Sequence, residues 1–132
     1  MKTIAIAFAT SLDNDDFDNA KSLLSRDCVY HIGSDKIVGP EAICRLYEQN
    51  MLEGRKKLDS LVWGKSEVEQ IGENEFCIHF TDYLTHQSIA FTYRCRQHIR
   101  FGDDGAIILI EHIDDPAETG RLDAFYRRVG LK

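Results

Sequence analysis

Only two of the 132 residues are proline and nine are glycine, and neither type clusters. The chain therefore offers no linker, repeat or low-complexity tract along which to divide, and a single domain over residues 1–132 is expected. Positive charge is also scarce. Sixteen Lys and Arg against 22 Asp and Glu give a formal net charge of −6, which excludes a nucleic-acid surface because phosphate binding relies on clustered basic side chains. A neutral or cationic small ligand is tolerated. No apolar run is long enough to cross a membrane. Lys2 ahead of Ile4–Ala9 imitates a signal peptide, but the uninterrupted run falls short of a usual hydrophobic region. Cys28, Cys44, Cys77 and Cys95 include no C-x-x-C pair, so they read as reduced, mostly buried thiols of a cytosolic protein. A glycine-rich phosphate loop, a serine-nucleophile elbow and an H-E-x-x-H motif are all missing, and neither a cofactor nor a metal is expected.

What is present is a clear order of elements. Ile4, Phe8 and Leu12 recur at helical spacing, and "LDNDDFDNAKSLLS" supplies a second helix capped by Asp13 or Asn14, with Phe17, Ala20, Leu23 and Leu24 as its stripe. "DCVYHI" reads as a short strand. Gly39 and Pro40 introduce a third helix with Ile43, Leu46 and Tyr47 facing inward. Four strand-like stretches follow, "KKLDSLVWGKSEVEQI", "EFCIHFTDYL", "IAFTYRCRQHIRF" and "AIILIEHI", separated by turn sequences, and the tail holds a last helix packed through Leu122, Phe125 and Val129. Helices first and an antiparallel meander afterwards predict an α+β domain with helices on one face of the sheet.

Alternation assigns the faces. Phe76, Ile78, Phe80, Asp82 and Leu84 share one side with Phe91, Tyr93, Cys95, Gln97, Ile99 and Phe101, and with Ile108, Ile110, His112 and Asp114. Cys77, His79, Thr81, Arg94, Arg96, His98, Arg100 and Glu111 make the wetter side. In this order of elements the chain resembles the nuclear transport factor 2-like superfamily, within it the ketosteroid isomerase and polyketide-cyclase-like (SnoaL-like) branch. The likeness rests on "DNDDFDNAKSLLSRDCVYH", on "GSDKIVGPEAI" and on the hairpin "QHIRFGDDGAIILIEHID". It implies a cone in which a strongly curved sheet and the helices enclose a pocket, and a homodimer through the outer sheet face. Ketosteroid isomerases hold the steroid oxyanion with a tyrosine and a protonated aspartic acid, and move the proton with a second aspartate. The matching positions here carry Phe8, Gln97 and Tyr30 or Ile32, so that mechanism is rejected.

The oily face leaves a short set of candidates. If the "GDDG" turn pairs Phe101 with Ala106, Gln97 stands opposite Ile110 and diagonal to His112, Glu111 opposite Arg96, and Tyr93 opposite Asp114. His112 would then serve as acid or base, Gln97 as a donor to a substrate carbonyl, and Asp82 as a carboxyl with a raised pKa or a charge partner. Phe8, Tyr30, Phe80, Tyr93 and Ile110 are the expected ligand-binding residues, and His31 is a minor candidate. Each has a plain structural reading beside it: Gln97 and His112 as satisfied core groups, Asp82 as a rim residue, the tyrosines as packing. The arginine-rich outer band reads best as a solvated or dimer-packed sheet face. The functions left standing are a cofactor-free isomerase, cyclase or dehydratase acting on a small carbonyl compound, or a non-catalytic binding or dimerisation module.

Overall fold

The computed structural model describes residues 1–132. Two helices, α1 (Lys2–Asp13) and α2 (Phe17–Ser22), lead into β1 (Leu24–Ile32) and β2 (Asp35–Val38). Then come α3 (Pro40–Lys57), β3 (Ser60–Trp63), β4 (Glu67–Gln70), β5 (Glu75–His86), β6 (Ile89–Phe101), β7 (Ile107–Ile113) and α4 (Pro116–Arg128). The strands form one curved, unclosed sheet in the order β2-β1-β7-β6-β5-β3, with β4 also on β5. The expected α+β cone is thus the fold, and no helix is long and apolar enough to cross a membrane.

Several local expectations are corrected. The cap of α2 is Asp16, whose carboxylate accepts the Asn19 N–H, rather than Asp13 or Asn14. "DKIV" is a strand, β2, pairing antiparallel with β1. The stretch read as one long strand before Gly72 is two strands, β3 on the distal half of β5 and β4 on its proximal half. Gly64 makes the break. Its N–H donates to the Thr81 carbonyl at 2.7 Å, and a Cβ there would lie 2.9 Å from the Tyr83 ring and 3.1 Å from the Thr81 oxygen. Cys77, assigned to the wetter face, is only 2% exposed.

The β6–β7 register also differs. Phe101 pairs with Ile107, not Ala106, and a bulge follows, so that Ile99 meets Ile110 and Gln97 stands directly opposite His112. Glu111 pairs with His98 instead of Arg96, and Tyr93 pairs with Asp82 on β5 rather than lying opposite Asp114. The extra residue is Ile108, which is 37% exposed instead of facing the core.

Two apolar clusters hold the domain. The larger joins Ala5, Phe8, Ala9 and Leu12 of α1 and Ile43 of α3 to Phe76, Ile78, Ile99, Phe101, Ile107 and Ile110 of the sheet. The smaller places Phe125 and Val129 of α4 on Leu58 and Leu84, with the Phe125 ring stacked 5.1 Å from Phe91. Reading along β5, Phe76 and Ile78 belong to the first cluster and Leu84 to the second. Phe80, packed on the edge of the first cluster, and Asp82 follow between them, as do Cys95 and Gln97 on β6. That gap is where the cavity lies.

Candidate functional site

A cavity of about 190 Å³ opens between the end of α1, α3 and the inner sheet face. An engineered apolar cavity of ~150 Å³ accepts benzene, so this one takes a ring with a substituent. Its walls are mainly apolar, with Phe17, Ile32, Met51, Trp63 and Phe80 among them. The polar groups come from different elements: Tyr30 of β1, Tyr47 of α3, Asp82 of β5, Gln97 of β6 and His112 of β7.

At the inner end the groups form a relay. The Tyr47 hydroxyl donates to Gln97 Oε1 at 2.6 Å, and Gln97 Nε2 donates to the Tyr30 hydroxyl oxygen at 2.9 Å. Gln97 is 5% exposed and Tyr30 3%. Each hydrogen bond in such a chain polarises the next, and the last member, Tyr30, keeps its own proton for a ligand oxygen. The two tyrosine rings meet edge to face at 5.6 Å, which fixes both hydroxyls. Burial raises the Tyr30 pKa to about 12, so the phenol stays protonated and acts as a donor.

His112 pairs with Gln97 across the strands and also lines the cavity. Its Nδ1 is buried with no partner. Desolvation lowers its pKa, and the Asp114 carboxylate opposes that only in part, so the imidazole is neutral at neutral pH and able to accept a proton. Asp82 lies four residues along β5 from Ile78, the residue opposite Gln97, or about 13 Å of strand. Burial, and secondarily the Asp13 carboxylate, push its pKa from 3.8 to about 7. The cavity therefore holds a hydrogen-bond clamp and an imidazole at one end and a half-protonated carboxyl further along.

The mouth is built by the α1–α2 turn. Asp15, at φ +56°, accepts from Arg55 Nη1 at 2.7 Å and from Trp63 Nε1 at 2.8 Å, while Asp13 accepts from the Ser66 N–H and hydroxyl. These bonds tie the turn to α3 and to the β3–β4 break.

Of the residues expected from sequence, Asp82, Gln97, His112, Tyr30 and Phe80 line this one cavity. Phe8 does not: it is fully buried behind Tyr47, their rings edge to face at 6.2 Å. Ile110 is likewise sealed in the core, and Tyr93 packs against the α4 cluster. His31 pairs with Lys36 and Glu111, away from the cavity lining. Tyr47 was legible only as part of the inward stripe of α3. A phenol on such a stripe needs a partner for its hydroxyl, and that was the available signal. Asp13, Asp15 and Trp63 carried none, since their meeting depends on the turn geometry.

His112→Ala is expected to leave the thermal midpoint nearly unchanged. The side chain borders a cavity and its buried Nδ1 makes no bond, so truncation neither orphans a partner nor seals a new void. A loss as large as the 1–3 kcal/mol typical of a broken buried contact, roughly, would mark His112 as structural.

No protein-family model matches the chain, and no curated protein does. Solved structures do match. A protein provisionally assigned as a polyketide cyclase from Xanthomonas campestris pv. campestris superposes with a TM-score of 0.68 at 11% identity, over 89% of this chain and 92% of that one. An LEH-like epoxide hydrolase from Mycobacterium tuberculosis gives 0.62 at 22% identity, over 98% and 95%. An NTF2-like protein of unknown function from Cytophaga hutchinsonii gives 0.60 at 14%, over 90% and 93%. At these identities the likeness establishes the shared fold.

Proposed function

We propose that this nuclear transport factor 2-like fold holds a small, mostly apolar carbonyl-type ligand and transfers protons on it without a cofactor, as an isomerase, cyclase or dehydratase. The observation that carries the reading is the convergence of Tyr30, Gln97, His112 and Asp82 on one cavity. The Tyr30 hydroxyl, backed by Gln97 and Tyr47, donates to the ligand oxygen where negative charge develops. Neutral His112, beside Gln97, takes or returns a proton at the adjacent carbon. Asp82 addresses a more distant part of the ligand, as an acid or a base according to pH. Structural neighbours described as a polyketide cyclase and an epoxide hydrolase support a small-molecule role for such a cavity.

Solvent-deuterium exchange tests the chemistry. Wild-type protein in D₂O is incubated with a panel of cyclic and aryl ketones sized to the cavity, and α-deuteration is followed by mass spectrometry. Exchange above the buffer rate is expected for at least one ketone, lowered about 10²–10⁴-fold in His112→Ala. Ligands that bind without exchange in the wild type would favour the second reading, a non-catalytic binding module.

A further inference from the structure

We infer that the outer face of the sheet carries a separate metal site, a three-donor centre for a zinc-class divalent cation, built from Glu69 on β4 and Cys77 and His79 on β5. A carboxylate oxygen, a thiol sulfur and an imidazole nitrogen from these residues all lie within 4.8 Å of one another. His79 Nε2 is already 3.1 Å from Glu69 Oε1. Around one tetrahedral ion with ligand bonds of about 2.0–2.3 Å, donor atoms stand roughly 3.3–3.8 Å apart. Small side-chain rotations therefore bring all three onto a single ion.

The placement is a property of the backbone. Cys77 and His79 are two residues apart on one strand and so project to the same side, and Glu69 is the direct cross-strand partner of Cys77. The donor set is selective in kind, since thiolate and imidazole prefer zinc-class ions to magnesium or calcium. Cys77 is buried and anchors the site, whereas the His79 and Glu69 side chains are 44% and 62% exposed. An ion can thus arrive from solvent, and its fourth position is left to water. Glu67, opposite His79 on β4, adds negative charge; Arg96, opposite His79 on β6, opposes the ion. Arg96 is exposed, so its guanidinium is hydrated and screened by salt. His98 stands across from Cys77 on β6, with Glu111 beyond it on β7. The site is on the opposite face from the cavity and does not depend on the function proposed for it.

Cobalt(II) titration of the 132-residue chain, first stripped with chelator, tests the site. One equivalent per chain is expected, with thiolate-to-cobalt charge transfer and tetrahedral ligand-field absorption, both removed by added zinc. Cys77→Ser should abolish the charge-transfer band and Cys44→Ser should retain it. His79→Ala should weaken cobalt affinity by at least the roughly 10-fold that even an outer-shell change costs. A folded wild type without the band, or a band that survives Cys77→Ser, overturns the site. Should Cys77→Ser fail to fold, unchanged cobalt affinity in His79→Ala, a substitution at a partly exposed position, overturns it equally.

Discussion

Asp82→Asn is expected to stabilise the protein by up to about 4 kcal/mol at pH 8, and by little near pH 4. The reason is the carboxyl's position on the inner face, between Phe80 and Leu84. Burial and the Asp13 carboxylate raise its pKa from 3.8 to about 7, and no cation offsets them. In the unfolded chain the same group titrates at about 3.9. Between those values the folded state holds a proton that the unfolded state has lost. Stability therefore falls as pH rises from about 4 to about 7, and the loss is complete above that window. A shift of three pKa units at about 1.4 kcal/mol each gives the magnitude. Asparagine has no proton to lose and escapes the penalty. His112 acts in the other sense: its depressed pKa means the unfolded chain protonates first, so its contribution is lost as pH falls through about 6.5. Because His112 is present in both proteins, the difference between them isolates Asp82. Denaturant unfolding of wild type and variant from pH 4 to pH 8 is the measurement, and parallel stability curves would refute the argument. A carboxyl carried at such a cost on a cavity wall supports the role proposed for Asp82.

Phe8→Ala is expected to cost about 3–5 kcal/mol, and Phe80→Ala distinctly less. Phe8 is completely enclosed, its ring against Tyr47 and the rest of the larger cluster. Truncation there leaves a sealed void and loosens the aromatic that starts the relay to Gln97. Phe80 instead borders the cavity, so removing its ring enlarges a space that already exists. Equilibrium denaturation separates the two. A mild effect at Phe8 together with altered ligand affinity would return that residue to the cavity wall, where the sequence had placed it.

The two residues differ in a way their sequence pattern could not show. Both are phenylalanines on inward-facing stripes, and periodicity reports which side of an element a residue occupies, not what it meets there. Whether it meets another apolar layer or empty space depends on how far α1 and α3 stand from the sheet. The Tyr47–Gln97–Tyr30 relay is of the same kind, because its members come from three elements whose separation no local spacing encodes. The proximity of the Glu69, Cys77 and His79 donor atoms is also not legible as a motif, because the three residues are divided between two strands.

His112 shows both sides of the division. Its inward direction was legible, although the register assumed for its hairpin was not the one formed. The turn takes one residue more than expected and Ile108 bulges out, so the pairing moves by two positions. Because side chains alternate with period two, a shift of two restores the same facing. The sequence by itself determined the α+β class, the order of the four helices and of the strands β1, β5, β6 and β7, and the parity that points Asp82, Gln97 and His112 inward, since these follow from local periodicity and turn chemistry. Only the tertiary structure decided that Gln97 stands directly beside His112, that Phe8 and Ile110 are sealed away, and that Asp82 is desolvated enough to hold a proton near neutral pH. Those outcomes depend on distances between elements remote in the chain, which packing alone sets.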